Sequence, residues 1–134
     1  MPDIFQQTAY EWLLCGAPPF AGAVAGITTK QGGESKGSFA SLNMGLHVGD
    51  DRTAVVNNRR RLAASLVFPL DDWVCCEQVH GAVIQKVTKS DRGSGAQDFA
   101  TAVRGADGLY TDESGVLLAL CFADCVPVYF MAPS

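Results

Sequence analysis

Val116-Leu117-Leu118-Ala119-Leu120-Cys121-Phe122, then Ala123-Asp124-Cys125, then Val126-Pro127-Val128-Tyr129-Phe130-Met131, is the stretch whose reading decides the fold. Its two apolar runs are together about as long as a short membrane-crossing helix. A carboxylate in the middle (Asp124), a proline after it and a density of Val, Phe and Tyr argue against such a helix. Short apolar runs bounded by a turn signal are instead the mark of strands covered on both faces. Residues 116–122 and 126–131 are therefore expected to be two buried strands joined by a sharp corner at Ala123-Asp124-Cys125.

Further strands are expected upstream. Residues 73–79 and 82–88 alternate in strand fashion around a His80-Gly81 corner, and residues 105–111 read as a short strand edge. Residues 89–104, polar and carrying Gly93 and Gly95, read as an exposed loop. Asp50 or Asp51 is placed to cap a helix running to about Leu66, because Val55, Leu62 and Leu66 recur at i, i+7 and i+11. Arg59 lies about 40° from Val55 on the helical wheel, inside that apolar stripe, whereas Arg60 and Arg61 fall on the solvated side. A guanidinium stays charged when buried, so Arg59 is expected to meet an anion, either a carboxylate or a ligand such as phosphate. Nearer the N-terminus, residues 23–29 read as a strand and residues 8–15 as a short helix or turn ended by Gly16 and Pro18-Pro19. Between strand and helix, residues 30–50 form a glycine-rich, ordered loop. The class is α+β, a mixed β-sheet core with flanking helices. A sheet buried on both faces needs covering layers, and the sequence offers one convincing helix. Either a partner subunit, a second copy included, covers the sheet, or the chain is part of a longer domain.

With 134 residues, 48% of them apolar and 18% charged, the chain has the composition of a single soluble domain. A net charge of −4 offers no general attraction to nucleic acid or to an anionic membrane. The five cysteines are odd in number and lack the spacing of a secreted disulfide framework, and no leader-like segment opens the chain. Reduced thiols in a cytoplasm fit these features.

Chemistry concentrates where strand-like runs hand over to turns. His80 in Glu77-Gln78-Val79-His80-Gly81 and Cys125 in Ala123-Asp124-Cys125 offer an imidazole and a thiol, which suit either a zinc ion or a metal-free nucleophile and base. Cys121, four positions earlier, reads as core, and Cys15, Cys75 and Cys76 as structural. Asp124 and Asp107 read either as groups that orient a ligand or as turn formers.

Five segments also carry a resemblance. Residues 39–51 (Phe-Ala-Ser-Leu-Asn-Met-Gly-Leu-His-Val-Gly-Asp-Asp), Asn58-Arg59-Arg60-Arg61-Leu62, Gln78-Val79-His80-Gly81, Ala106-Asp107-Gly108-Leu109 and Ala123-Asp124-Cys125-Val126-Pro127-Val128 follow one another in order. Together they resemble the YfiH-type laccase-domain proteins, also described as polyphenol oxidases and purine nucleoside phosphorylases. The resemblance implies a chain that is the N-terminal half of a longer domain. It implies a zinc held by His80, Cys125 and a further histidine from a later segment absent here. It implies phosphorolysis of adenosine, inosine or methylthioadenosine to the free base and ribose 1-phosphate, with adenosine deamination beside it. In that scheme Arg59, His80 and Cys125 are catalytic, Arg59 holding phosphate, while Ser41, Asn43 and His47 line the substrate pocket. Copper is a competing metal at the same donors. Multicopper oxidation calls for a histidine-rich ligand set, and this chain has two histidines. A metal-free Cys–His hydrolase and a non-catalytic fragment completed by a partner stay open beside these readings.

Overall fold

The computed structural model describes residues 5–7, 13–16, 23–123 and 125–131. In chain order the regular elements are β1 Phe5–Gln7, β2 Leu13–Gly16, β3 Gly26–Thr28, α1 Arg52–Leu66, β4 Trp73–Cys75, β5 Ile84–Lys86, β6 Gly108–Tyr110 and β7 Leu117–Ala119. The class is α+β, as expected, but the sheet is divided. β1, β2 and β3 form an antiparallel meander, while β4 pairs with β7 and β5 with β6, both in parallel.

α1 begins where the sequence places it. Asp51 accepts a hydrogen bond from the Ala54 amide at 3.3 Å, satisfying one of the donors a helix start leaves open. Its far end is a Schellman turn: the Phe68 amide reaches Ala63 O at 3.1 Å and the Val67 amide reaches Ala64 O at 3.4 Å. This turn puts Val67 in the left-handed region at φ 58°. The buried face of α1 is carried by Val55, Asn58, Arg59 and Ala63, whereas Leu62 and Leu66 are only half-buried. Ala63 packs with Leu70, Trp73, Cys75 and Ala96, and Leu117 and Ala119 close in from β7. The core thus lies between α1 and the β4–β7 pair. The Trp73 indole donates to Phe68 O at 3.0 Å, so its polar edge is satisfied inside that layer.

Several expectations need correction. Part of the segment read as an N-terminal helix or turn is β2, hydrogen-bonded to both β1 and β3; residues 8–12 lie outside the described residues. The strands expected at 73–79 and 82–88 shorten to three residues each, because Glu77 through Gly81 turn away to build the His80 corner. The 89–104 segment is not simply exposed. It runs along the free side of β4, with the Cys75 amide donating to Ser94 O at 2.8 Å and the Val103 amide to Cys75 O at 3.0 Å. Ala96 and Ala102 are buried there. β7 is half-buried rather than covered on both faces. Residues 126–131 form no strand, and Val126 is 82% and Phe130 89% exposed. Tyr129 ties this segment back, its hydroxyl donating to Gly26 O of β3 at 2.7 Å.

Candidate functional site

His80 sits at the tip of a turn in a conformation that L-residues avoid, with φ 60°. What holds it there is Asp107, just before β6. Asp107 Oδ1 accepts from the amides of Val79 at 3.0 Å and His80 at 2.8 Å, and Oδ2 accepts from Gly81 at 2.8 Å. Three consecutive amides converge on one carboxylate. Gly81 eases this approach, since a Cβ there would stand a tight 3.3 Å from Asp107 Oδ2. Burial pushes the Asp107 carboxyl up, but the three amides and the nearby imidazole together outweigh it, and the group sits below the ordinary carboxylate range. The side chain of His80 is exposed.

Cys125 is exposed too. Its segment is brought alongside that of His80 by Gln78. The Gln78 side-chain amide donates to Cys121 O at 2.8 Å, and its Oε1 accepts from the Cys121 amide at 2.8 Å. A side-chain amide here takes the place a peptide group would hold in a sheet ladder. It continues the parallel β4–β7 pairing after the backbone of the first strand has begun to turn. His80 follows two positions beyond this junction on one segment, and Cys125 four positions beyond it on the other. Asp124 lies outside the described residues.

Arg59 is buried, as its place in the stripe requires, yet no carboxylate among the described residues meets it. Nε and Nη2 donate to Met44 O at 2.8 and 2.6 Å, and Nη1 donates to Gly95 O at 2.8 Å, Ala96 O at 2.9 Å and Cys75 Sγ at 3.4 Å. Among the described residues, convergent carbonyl dipoles rather than a carboxylate receive the guanidinium. The side chain braces the 41–45 loop and the 93–96 segment against α1. Met44 O also receives the Cys121 thiol at 3.7 Å, so the brace extends to the segment leading to Cys125.

Ser41 and Asn43 belong to the same scaffold. Asn58, fully buried on α1, donates to Ser35 Oγ at 2.9 Å, Asn43 O at 2.9 Å and Ser41 O at 3.3 Å, and accepts from the Glu34 amide at 2.9 Å. Asn43 in turn holds the Asp50 carboxylate at 3.1 Å, and Ser41 Oγ donates to Lys30 O at 3.2 Å. His47 stands apart from this network, exposed and stacked on Phe99 with ring centroids 5.7 Å apart. Arg60 and Arg61 are exposed, as expected of a solvated face.

The reactive thiols divide by burial. Burial pushes the thiols of Cys75 and Cys121 up, against the pull of the Arg59 guanidinium, and pushes Cys76 up to about 11. That leaves Cys125 as the exposed thiol among the described side chains. An imidazole and a thiol are fitting donors for zinc or copper. Among the described residues, however, no group of three or more His, Cys, Asp or Glu side chains converges on one point. The donor types fit the metal, and their number falls short of a complete set.

The sequence reading missed Gln78 as a connector. Its position two residues before a candidate ligand was visible, but its partner, a backbone 43 positions away, was not.

Comparison with known proteins matches residues 24–134 to the family described as multi-copper polyphenol oxidoreductase laccase. The chain is 85% identical over its full length to a Geobacillus stearothermophilus protein named purine nucleoside phosphorylase YlmD, of which it covers 49%. The crystal structure of YlmD from that organism superposes with a TM-score of 0.89 at 84% identity, over 92% of this chain and 46% of the other. The Bacillus licheniformis protein YfiH, 46% identical, gives 0.88 over the same shares. The chain thus spans about half the length of the relatives it matches. No helix among the described residues is long and apolar enough to cross a membrane. By its five motifs, its fold and these matches, the chain belongs to the laccase-type family that includes YlmD and YfiH.

Proposed function

We infer that the chain is the N-terminal half of a zinc-dependent purine nucleoside phosphorylase acting in the cytoplasm. The single observation that carries this reading is the exposed imidazole of His80, held on an anchored turn beside the segment that leads to the exposed thiol of Cys125. The name of the Geobacillus relative supports the reaction class. Phosphate would attack C1′ of adenosine, inosine or methylthioadenosine; the glycosidic C–N bond breaks, the base takes the electron pair and a proton, and ribose 1-phosphate forms. Adenosine deamination is a second proposed activity of the same site.

In this scheme His80 and Cys125 hold the zinc, with a further ligand from outside the chain. Zinc, when bound, supplies Lewis acidity toward substrate or water. Arg59 acts at one remove, as a positioning residue. Its guanidinium donates to the carbonyls of Met44, Gly95 and Ala96, which supports a role in bracing the loop. Ser41 and Asn43 likewise shape the loop, and the exposed His47 is the loop's candidate for direct contact with substrate. Copper would compete for the same nitrogen and sulfur donors, and the family description supports keeping it as the second metal.

Metal content by plasma mass spectrometry, for the wild-type chain and a Cys125→Ala variant, tests this reading. About one zinc per chain, lost in the variant, is the expected result. A folded wild-type chain that takes up no metal when zinc is supplied would sink it in favour of thiol chemistry at Cys125.

A further inference from the structure

We propose that Asp107 is a positioning residue for His80: its carboxylate fixes the turn that aims the imidazole into the site. The proposal rests on the reading of His80 as a functional ligand, and the turn itself supplies the argument. A left-handed backbone at a non-glycine residue is strained. If only the shape of the corner mattered, glycine would serve better at position 80, and a glycine does occupy the next position. The chain instead places an imidazole on the strained residue and offsets that strain from a distance. Asp107 comes from the other side of the β5–β6 pair and gathers the amides of Val79, His80 and Gly81 within 2.8–3.0 Å. Amides held by an ionised carboxylate form the stronger class of hydrogen bond. The carboxylate touches the backbone of His80 and leaves the ring free, so it sets direction without occupying a donor nitrogen.

The anchor is itself anchored. The Asp107 amide donates to Val83 O at 2.9 Å, extending the parallel β5–β6 pairing to the residue that grips the turn. The Gln78 bracket fixes the other foot of the corner. The His80 tip is therefore held from two strand pairs, and among the described residues it is Asp107 that reaches all three amides of the tip.

The test compares Asp107→Asn, Asp107→Glu and His80→Ala with the wild-type chain, using zinc alone as the probe. Asn is isosteric but can accept through only one of its two terminal atoms. Glu keeps the charge, displaced by one methylene. Two quantities are read: amide hydrogen exchange in the metal-free protein, and zinc affinity by competition with a colorimetric chelator. In Asp107→Asn the amides of 79–81 are expected to exchange faster while those of α1 keep their protection, and zinc affinity should fall by about 10–100-fold. Asp107→Glu should fall between Asn and wild type, and it carries the comparison if Asp107→Asn does not fold. Unchanged zinc affinity in both Asp107 variants, with affinity lost in His80→Ala, would overturn the proposal and leave the ligand role of His80 standing. Wild-type affinity in His80→Ala, or no zinc binding by the wild-type chain, would overturn the ligand role and the proposal with it.

Discussion

Cys125 and Cys76 show how far surroundings separate two identical side chains. The first is exposed; the second is buried, and its thiol is pushed up to about 11 by desolvation, with neighbouring thiols and Asp107 adding to the rise. Since the thiolate is the nucleophile, Cys76, buried and with its thiol pushed up, is held in the unreactive form near pH 8. Iodoacetamide near that pH is expected to label Cys125 well before Cys75, Cys76 or Cys121, as peptide mapping over a time course would show. Early labelling at Cys76 would mean that the β4 layer opens readily. Linkage fixes the sign of the pH dependence for Cys76. A thiol whose folded value lies above 9.0 stabilises the fold fully below that pH. The contribution is lost as pH climbs from 9.0 through about 11.

At the level of elements, α1 carries an opportunity at its C-terminus. Val67 occupies the left-handed position of the Schellman turn, where a β-branched residue is strained, and its side chain is 86% exposed, so little packing is lost by removing it. Val67→Gly is expected to raise stability by about 1 kcal/mol, read as a higher urea midpoint at unchanged slope; a lower midpoint would show that the turn is held by something other than its backbone. This helix was also the most legible part of the sequence, because cap, period and flanking polarity agreed over fifteen residues. Of the candidate site, His80 and Cys125 were legible as residue types at the ends of strand-like runs. The rest was hidden for definite reasons. The stripe showed that Arg59 is buried, but the carbonyls that receive it come from two irregular segments, around Met44 and at Gly95-Ala96, whose approach to α1 no local pattern reveals. The apolar run at 126–131 showed what prefers to leave water, and a run of that kind does not say what would cover it. β2 was misread because its partners β1 and β3 decide its conformation, and a short segment does not reveal pairing.

At the scale of the whole molecule, the described residues expose their longest run of apolar side chains between Phe122 and Met131. Val126, Val128 and Phe130 are 82%, 69% and 89% exposed, and Phe122 and Met131 adjoin them in sequence. Contiguous apolar surface of this kind is sticky. The chain is expected to enhance the fluorescence of a hydrophobic dye such as ANS, and a Val126→Asp/Phe130→Asp double variant to lose most of that enhancement without a change in melting temperature. A dye response equal to wild type would place the sticky surface elsewhere, for instance on the exposed faces of Ile84 and Tyr110. The long reach of the contacts around the site also sets an order of events during biosynthesis. The turn at His80 has no clamp until Asp107, 27 positions later, has been made. The Gln78 bracket waits for Cys121, 43 positions on, and the Tyr129 tie to Gly26 spans 103. At about 5–20 residues per second, a nascent chain carries its histidine for seconds before anything aims it. The turn that carries this histidine is therefore fixed late, by the arrival of residues far from it in the sequence.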